Sequence, residues 1–502
     1  MTRYVTSSVH GGSFGVADDG AYLHAHRTLA SQHDVLTACA ARWTRTAFAL
    51  SSRRMDVSVR FPATALPTST PSMHAPDGDA DMLMHRIACA VDACNDVGVM
   101  VRRLADECGR LADLVARAWG IYNAAESRNR ARTTKVVQLL ATADPLAMSV
   151  IGLGVGLFGA GYGYATEGTF GVAHMSHATS WMQEGLLAGI GDRMSGASTP
   201  DTIMRNGSGV AAAAGRITAI SAPANDLVQG SRLTIRQVHA LTAPVGYADN
   251  TATALHDLRG LGRANADTAH SGLSYATIAI SRYARADGTN AWLVTIPGTD
   301  GQADSPLGWE QNVELMSDDA TERAHADSAR FVAEAMRRAG VACGDPVALI
   351  GHSQGGIIAA TIASDYTDEF TVGHVVTAGS PIANHPVAKG TWVTSVEMDD
   401  ELVAALDGAA NPEQDRWLTV RGSLAHEGDD RLLASSAVDI AEGPSGLTHD
   451  LAYHEAAYAS AAQLGTPALE RHDDHFRRTI AGEYQGTSYW QGRIGDRGDE
   501  DR

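Results

Sequence analysis

The residues of this 502-residue chain whose types and spacing point to chemistry gather in its second half. The sharpest set is Gly351-His352-Ser353-Gln354-Gly355-Gly356, preceded by the apolar run PVALI and followed by the small-residue run IIAATIASDY. Read as strand, turn and helix, this places Ser353 at the apex of a tight bend, and glycines two positions to either side give the backbone room to make it. The bend exposes the hydroxyl, while the dipole and free N–H groups of the following helix favour negative charge beside it. The chemistry indicated is that of a serine nucleophile. Two other constellations are weaker. His472-Asp473-Asp474-His475 has the residue types of a metal site, but adjacent residues on a helix do not share a face, so it reads as a charged surface turn. Gly152-x-Gly154-x-Gly156 is not followed by a βαβ unit and is no dinucleotide fingerprint. No cofactor and no metal is implied.

With the elbow in place, the sequence resembles the α/β-hydrolase superfamily, and in detail the bacterial relatives of the fungal-type (class 3) lipases, over about residues 233–481. Leu293 to Gly301 (LVTIPGTDG) is similar to the strand-end turn of those lipases that builds half of the oxyanion hole. The resemblance therefore implies the backbone N–H groups of Thr299 and Gln354 as the two donors. After the run WVTSV, Leu402-Val403-Ala404-Ala405-Leu406 resembles the tail of the segment opened by the triad acid. Ala404 stands where that family has proline, and the acid position falls on Glu401, with Asp400 and Asp399 just before it; Glu401 and Asp400 both stay candidates. Thr448-His449-Asp450-Leu451-Ala452-Tyr453 resembles the segment bearing the catalytic histidine, with one extra residue before the tyrosine, and implies His449. The neighbouring His426, His454, His472 and His475 read as surface histidines. The chain order Ser353, acid, His449 is that of the fold. It implies an ester hydrolase in which His449 takes the Ser353 proton, the acid orients the ring, and water resolves an acyl-enzyme.

These residues need a sheet to hold them. From about Leu233, β-branched runs (233–238, 275–280, 292–296, 347–350, 372–377 and 393–397) alternate with helix-length segments such as 321–339 and 356–365. That alternation predicts a doubly wound, mostly parallel α/β sheet in the C-terminal half, with Ala286-Asp287-Gly288-Thr289 as a hairpin turn.

The first half has another character. Apolar residues recur at helical spacing over 21–50, a Pro/Ser/Thr/Asp-rich stretch over 62–81 breaks the pattern, and 82–143 predicts one long helix or a hairpin of two. An all-α region thus precedes the sheet. Within it, Trp119, Gly120 and Tyr122-x-x-x-Glu126 resemble the export signal and helical hairpins of type VII (ESX/WXG-like) secretion families, which implies secretion machinery or a helical partner there; an aromatic on the core stripe beside a solvated glutamate is the plainer reading. Pro145 to Thr166 has 22 uncharged residues, long enough for a bilayer-crossing helix, with Gly152-x-x-x-Gly156 and Gly159-x-x-x-Gly163 for close helix approach. Six glycines in that stretch make a buried hairpin or an interfacial segment equally good readings. The expected domains are helical 1–144, a Gly-rich connector 145–232, the catalytic domain 233–485 and a polar tail 486–502.

Composition bounds the rest. Apolar residues at 44%, charged residues at 19% and five cysteines exclude a disordered chain and a disulfide scaffold. With an odd count and no C-x-x-C pair, Cys39, Cys89, Cys94, Cys108 and Cys343 read as small core residues. A net charge of −19 argues against a nucleic-acid partner. The first twenty residues lack an apolar signal core, so export would need another route, and a cytoplasmic protein is the alternative. The competing functions are an exported or surface-associated interaction protein with a weak hydrolase domain, and a thioesterase or peptidase on the same triad.

Overall fold

The computed structural model describes residues 3–11, 20–60, 77–167, 172–196, 210–216, 232–425, 435–438 and 448–495. The chain forms two compact units, Asp19–Gly120 on one hand and Met1–Asp18 with Ile121–Arg502 on the other.

The smaller unit is made by α1 (Gly20–Arg60) and the first part of α2 (Asp77–Ala143). Proline is absent from both helices and stands just outside them, at Pro62, Pro76 and Pro145, where the missing N–H does least harm. The helices run antiparallel: His26 Nδ1 meets the Ala112 carbonyl at 3.1 Å and His33 Nδ1 the Ala105 carbonyl at 2.8 Å. Their buried contacts are small, Ala40, Ala47, Cys94, Ala105 and Ala112, while Phe48, Met55 and Met100 stay exposed. Tyr122 and Glu126 fall on α2, and their side chains lie outside the described ones. All five cysteines are free thiols; only Cys94 is buried, and Cys89 and Cys343 are exposed rather than in a core.

The larger unit is built on one ten-stranded sheet. Its strands are β1 (Arg3–Gly11), β2 (Arg232–Val238), β3 (Thr277–Ala284), β4 (Asn290–Ile296), β5 (Pro346–His352), β6 (Thr371–Ala378), β7 (Trp392–Met398), β8 (Trp417–Ala425), β9 (Ser435–Val438) and β10 (Glu483–Gly495). Their order is β2-β10-β3-β4-β5-β6-β7-β8-β1-β9. Only β4 to β8 are parallel, adjacent in chain order; β10, β2 and β3 on one side and β1 and β9 on the other pair antiparallel. The β3–β4 connection is the expected hairpin, closed by Arg285 N–H to Thr289 O at 2.9 Å, with Gly288 at φ +84°.

Three expectations change here. The sheet is mixed rather than mostly parallel. Residues 3–11, expected in a helical region, add a strand between β8 and β9, with Val5 opposite Leu424 and Val5 and Val9 fully buried. Residues 483–495, largely assigned to a polar tail, form the strand that joins β2 to β3; Gly492 comes so close to Phe331 that a Cβ there would lie 2.9 Å from its ring. Both strands pair with residues hundreds of positions away, and no local period reports such a partner.

Helices cover both faces. The alternation of β3 sorts them: Ile278 and Ile280 join the large core with Phe331, Val332 and Ile358, whereas Ala279 faces Leu261. So α5 (Thr251–Ala266) lies on one face and α6 (Asp327–Ala339) and α7 (Gln354–Asp365) on the other. The α5 face is completed by α8 (Leu451–Leu464) and α9 (Pro467–Thr479), which pack on α5 and on each other.

The Gly-rich segment is helical. It forms α3 (Pro145–Glu167), which packs on α4 (Val172–Ser195) with Gly152 against Met182 and Leu186. The closest helix approach uses glycines of α4 instead: a Cβ on Gly185 would lie 2.5 Å from the Thr134 carbonyl of α2, and Gly189 sits against Ala141. Among the described residues, no helix is long and apolar enough to cross a membrane.

Candidate active site

β5 ends by turning directly into α7, and Ser353 at the turn has φ +53° and ψ −121°, a conformation costing a non-glycine residue about 1–3 kcal/mol. The surroundings hold it there. Ser353 N–H donates to Ala378 O of β6 at 2.9 Å, and the Ser353 carbonyl accepts from Gly356 N–H at 3.1 Å. A side chain on Gly351 would overlap the Gly355 backbone, one on Gly355 the Ile296 and Pro297 carbonyls, and one on Gly356 the Ser380 side chain. All three glycines are therefore required by close approach.

The loop after β4 lies against this turn, since a Cβ on Gly298 would sit 3.2 Å from Ser353 Cβ. Asn312 donates to Thr299 Oγ1 at 3.2 Å, and the Asp300 carboxylate accepts from Ala276 N–H, Gln302 N–H and Ser305 Oγ, which fixes the loop. Gln354 is fully buried and donates through its side-chain amide to Gly308 O at 2.8 Å. As the first residue of α7 it has a backbone N–H without an intrahelical partner. Thr299 thus follows a residue packed against Ser353, and Gln354 is the residue next to it in the turn.

Glu401 stands in the turn after β7, and His449 in the turn that opens α8. The turn after Met398 carries Glu401 inward, its side chain 1% exposed, and its Oε1 is hydrogen-bonded to His449 Nδ1. Asp400, also buried, instead accepts from Thr448 Oγ1 at 2.8 Å. Of the two acid candidates, Glu401 touches the ring and Asp400 holds the residue before it. His449 precedes α8, whose N-cap Asp450 accepts from Ala452 N–H at 2.7 Å. The His449 ring lies 4.7 Å, centroid to centroid, from His352, the residue before Ser353, and the His449 carbonyl accepts from His352 Nε2 at 2.9 Å. Burial, with His449 and His454 nearby, pushes His352 down to about 3, so it is neutral at ordinary pH. The described contacts of the His449 side chain are with Glu401, His352 and His454, and no hydrogen bond joins it to Ser353. Catalytic hydrogen bonds commonly tighten only when substrate binds.

His454 was expected at the surface and is fully buried. Its Nε2 meets the second oxygen of Glu401 at 2.9 Å. Burial raises the Glu401 carboxyl, but the His454 charge and the hydrogen bonds from both rings outweigh it and hold the group well below the usual carboxylate range. A carboxylate serving two imidazoles is what sequence reasoning missed. The available signal was the five-residue spacing of His449 and His454 across a helix start. Behind them, Arg421 of β8 is buried among Glu397 at 2.9 Å and Glu184 and Asp399 at 3.7 Å.

His472 and His475 are likewise not a surface turn. They pack on the opposite end of β6 and β7 with His374 and Trp392, the His475 ring stacked on the indole at 4.4 Å. His426 lies outside the described residues. Among those residues no group of His, Cys, Asp or Glu is arranged to hold a metal ion.

No curated protein and no solved structure matches the chain. Residues 302–391, which run from the loop after β4 through β5, the serine turn and β6, match the family described as Alpha/beta hydrolase. Together with the strand-turn-helix at Ser353, that match supports placing the domain in the α/β-hydrolase superfamily, as a hydrolase of that general kind.

Proposed function

We propose that the protein is a serine hydrolase of carboxylic esters, lipase- or esterase-like, acting through Ser353, His449 and Glu401. The observation that carries this reading is the buried Glu401 carboxylate on His449 Nδ1, beside a serine held at φ +53°. With Nδ1–H committed to Glu401, the neutral ring presents Nε2 as the base. His449 takes the Ser353 proton as Oγ attacks the ester carbonyl, and Glu401 stabilises the imidazolium that forms. The Thr299 and Gln354 N–H groups receive the oxyanion, each such donor being worth about 10²- to 10³-fold in rate. The ring then protonates the leaving alcohol, and a water activated by the same ring hydrolyses the acyl-enzyme.

The test is labelling by a fluorophosphonate together with hydrolysis of p-nitrophenyl esters of graded chain length, with matched thioesters and anilides as comparisons. Ser353→Ala is expected to lose both labelling and turnover. Full esterase activity in a folded Ser353→Ala protein would sink the reading, and faster turnover of thioester or anilide would move it to the other substrate class.

A further inference from the structure

We propose that His454 is a positioning residue, held as an imidazolium, that shares the Glu401 carboxylate with His449 and thereby sets the acid limit of the enzyme's activity. This rests on the triad reading above.

The geometry assigns the charge. His454 Nε2 lies 2.9 Å from Glu401 Oε2 and its Nδ1 3.2 Å from the Asp450 carbonyl. An ionised carboxylate and a backbone carbonyl only accept hydrogen bonds, so both ring nitrogens must donate, and an imidazole donating from both is cationic. Space for two rings on one carboxylate depends on Gly379, at φ +60°: a Cβ there would overlap Glu401 Oε1 and lie 2.8 Å from His454 Nε2. Burial opposes charge on His454, but Glu401 outweighs it and raises the ring above its ordinary value.

Among the described residues, the groups facing His454 come from three segments. The turn after β7 contributes Glu401, the segment before α8 contributes His449 and Asp450, and the serine turn contributes His352, 5.8 Å away. Arg421 and Glu397 lie behind Glu401 on β8 and β7, Arg3 of β1 bonds the neighbouring Tyr453, and on α5 Arg259 is paired with Glu455.

The consequence concerns His449. A lone carboxylate favours protonation of the ring it holds, whereas one already neutralised by a second imidazolium favours it less. The two rings are 6.2 Å apart, close enough for the charge on His454 to offset part of the attraction of Glu401 for a proton on its other partner. The enzyme therefore stays active to a lower pH than a triad without the second ring.

The experiment is the pH dependence of kcat/KM for wild type and His454→Gln, which keeps an N–H for Glu401 and removes the charge. The acid limb is expected to move up by roughly one to two pH units, with the plateau lowered by no more than about tenfold. An equal loss at every pH, with the limb in place, would show a purely structural role and overturn the proposal. Nitrogen-15 spectra of the wild-type histidine rings at pH 7.5, assigned by the signals missing from His454→Gln or from a folded His454→Asn, give a readout independent of turnover. Both His454 nitrogens protonated supports the proposal; a neutral tautomer defeats it. Absence of fluorophosphonate labelling in wild type would instead defeat the hydrolase reading, leaving the ring's charge to the spectra.

Discussion

Two histidine clusters sit at different places on the same sheet, and one carboxylate separates their behaviour. In the first, His449 and His454 share Glu401, and the ring with acceptors on both nitrogens must be charged. In the second, His374, His472 and His475 surround Thr394 and Trp392 with no acid in the chain of contacts. There the hydrogen bonds run one way. His472 Nε2 donates to Asp415 O, so its Nδ1 must accept from the Thr394 hydroxyl; that hydroxyl accepts from His374 Nε2, and His374 Nδ1 accepts from His475 Nδ1. The chain closes with every ring neutral. Burial accordingly pushes His374 well down and His472 and His475 down to about 4. The lesson is that burial alone makes a histidine an apolar-like spacer, and burial with a carboxylate makes it a fixed charge.

The strongest way to break the contrast is to remove the carboxylate. Glu401→Gln should lower kcat/KM by about 10⁴-fold, since the base loses its tautomer control; a loss under tenfold would mean Glu401 is not the triad acid. Next is the cation behind it. Arg421→Leu leaves the buried Glu397 without its guanidinium and should cost about 3–5 kcal/mol in urea unfolding; a loss below about 1 kcal/mol would show that this carboxylate does not depend on the guanidinium. A smaller effect comes from the neutral cluster in acid. Its histidines are depressed, so the unfolded chain binds protons first: their contribution is intact above about 6.5 and is lost as the pH falls towards about 4, at up to about 1.4 kcal/mol per pH unit for the buried His472. His472→Gln should flatten that slope in denaturant titrations. The smallest effect has the opposite sign. His454 is raised, so its stabilisation is complete below about 6.5 and fades as the pH climbs through its folded value. His454→Gln should therefore cost more stability at pH 6 than at pH 9, and equal costs would contradict the charge assignment.

Much of the site was legible because its signals are local. The serine turn needs small residues at fixed offsets, and Gly351, Gly355 and Gly356 each meet backbone or side chain where a Cβ would go. His449 and the acid region were placed by resemblance, and geometry then divided Asp400 from Glu401 by which carboxylate meets the ring. Less legible were contacts whose partners are remote. His472 and His475 looked like a polar surface turn because charged Asp473 and Asp474 stand between them, yet α9 turns both rings inward onto Trp392 of β7. The outer strands were illegible for the same reason. The pattern of β1 is an ordinary alternation that could pair anywhere, and what assigns it to β8 is the burial of Val5 and Val9 in that sheet.

The amino-acid order by itself determined a tight serine turn between strand and helix, a long proline-free helical region and an α/β second half, because each follows from spacing over fewer than about twenty residues. Tertiary structure alone decided that residues 3–11 and 483–495 enter one sheet, that Glu401 rather than Asp400 meets His449, and which buried histidines share a carboxylate. Those depend on what approaches each group through space, where a single carboxylate oxygen within hydrogen-bonding reach outweighs the cost of burial.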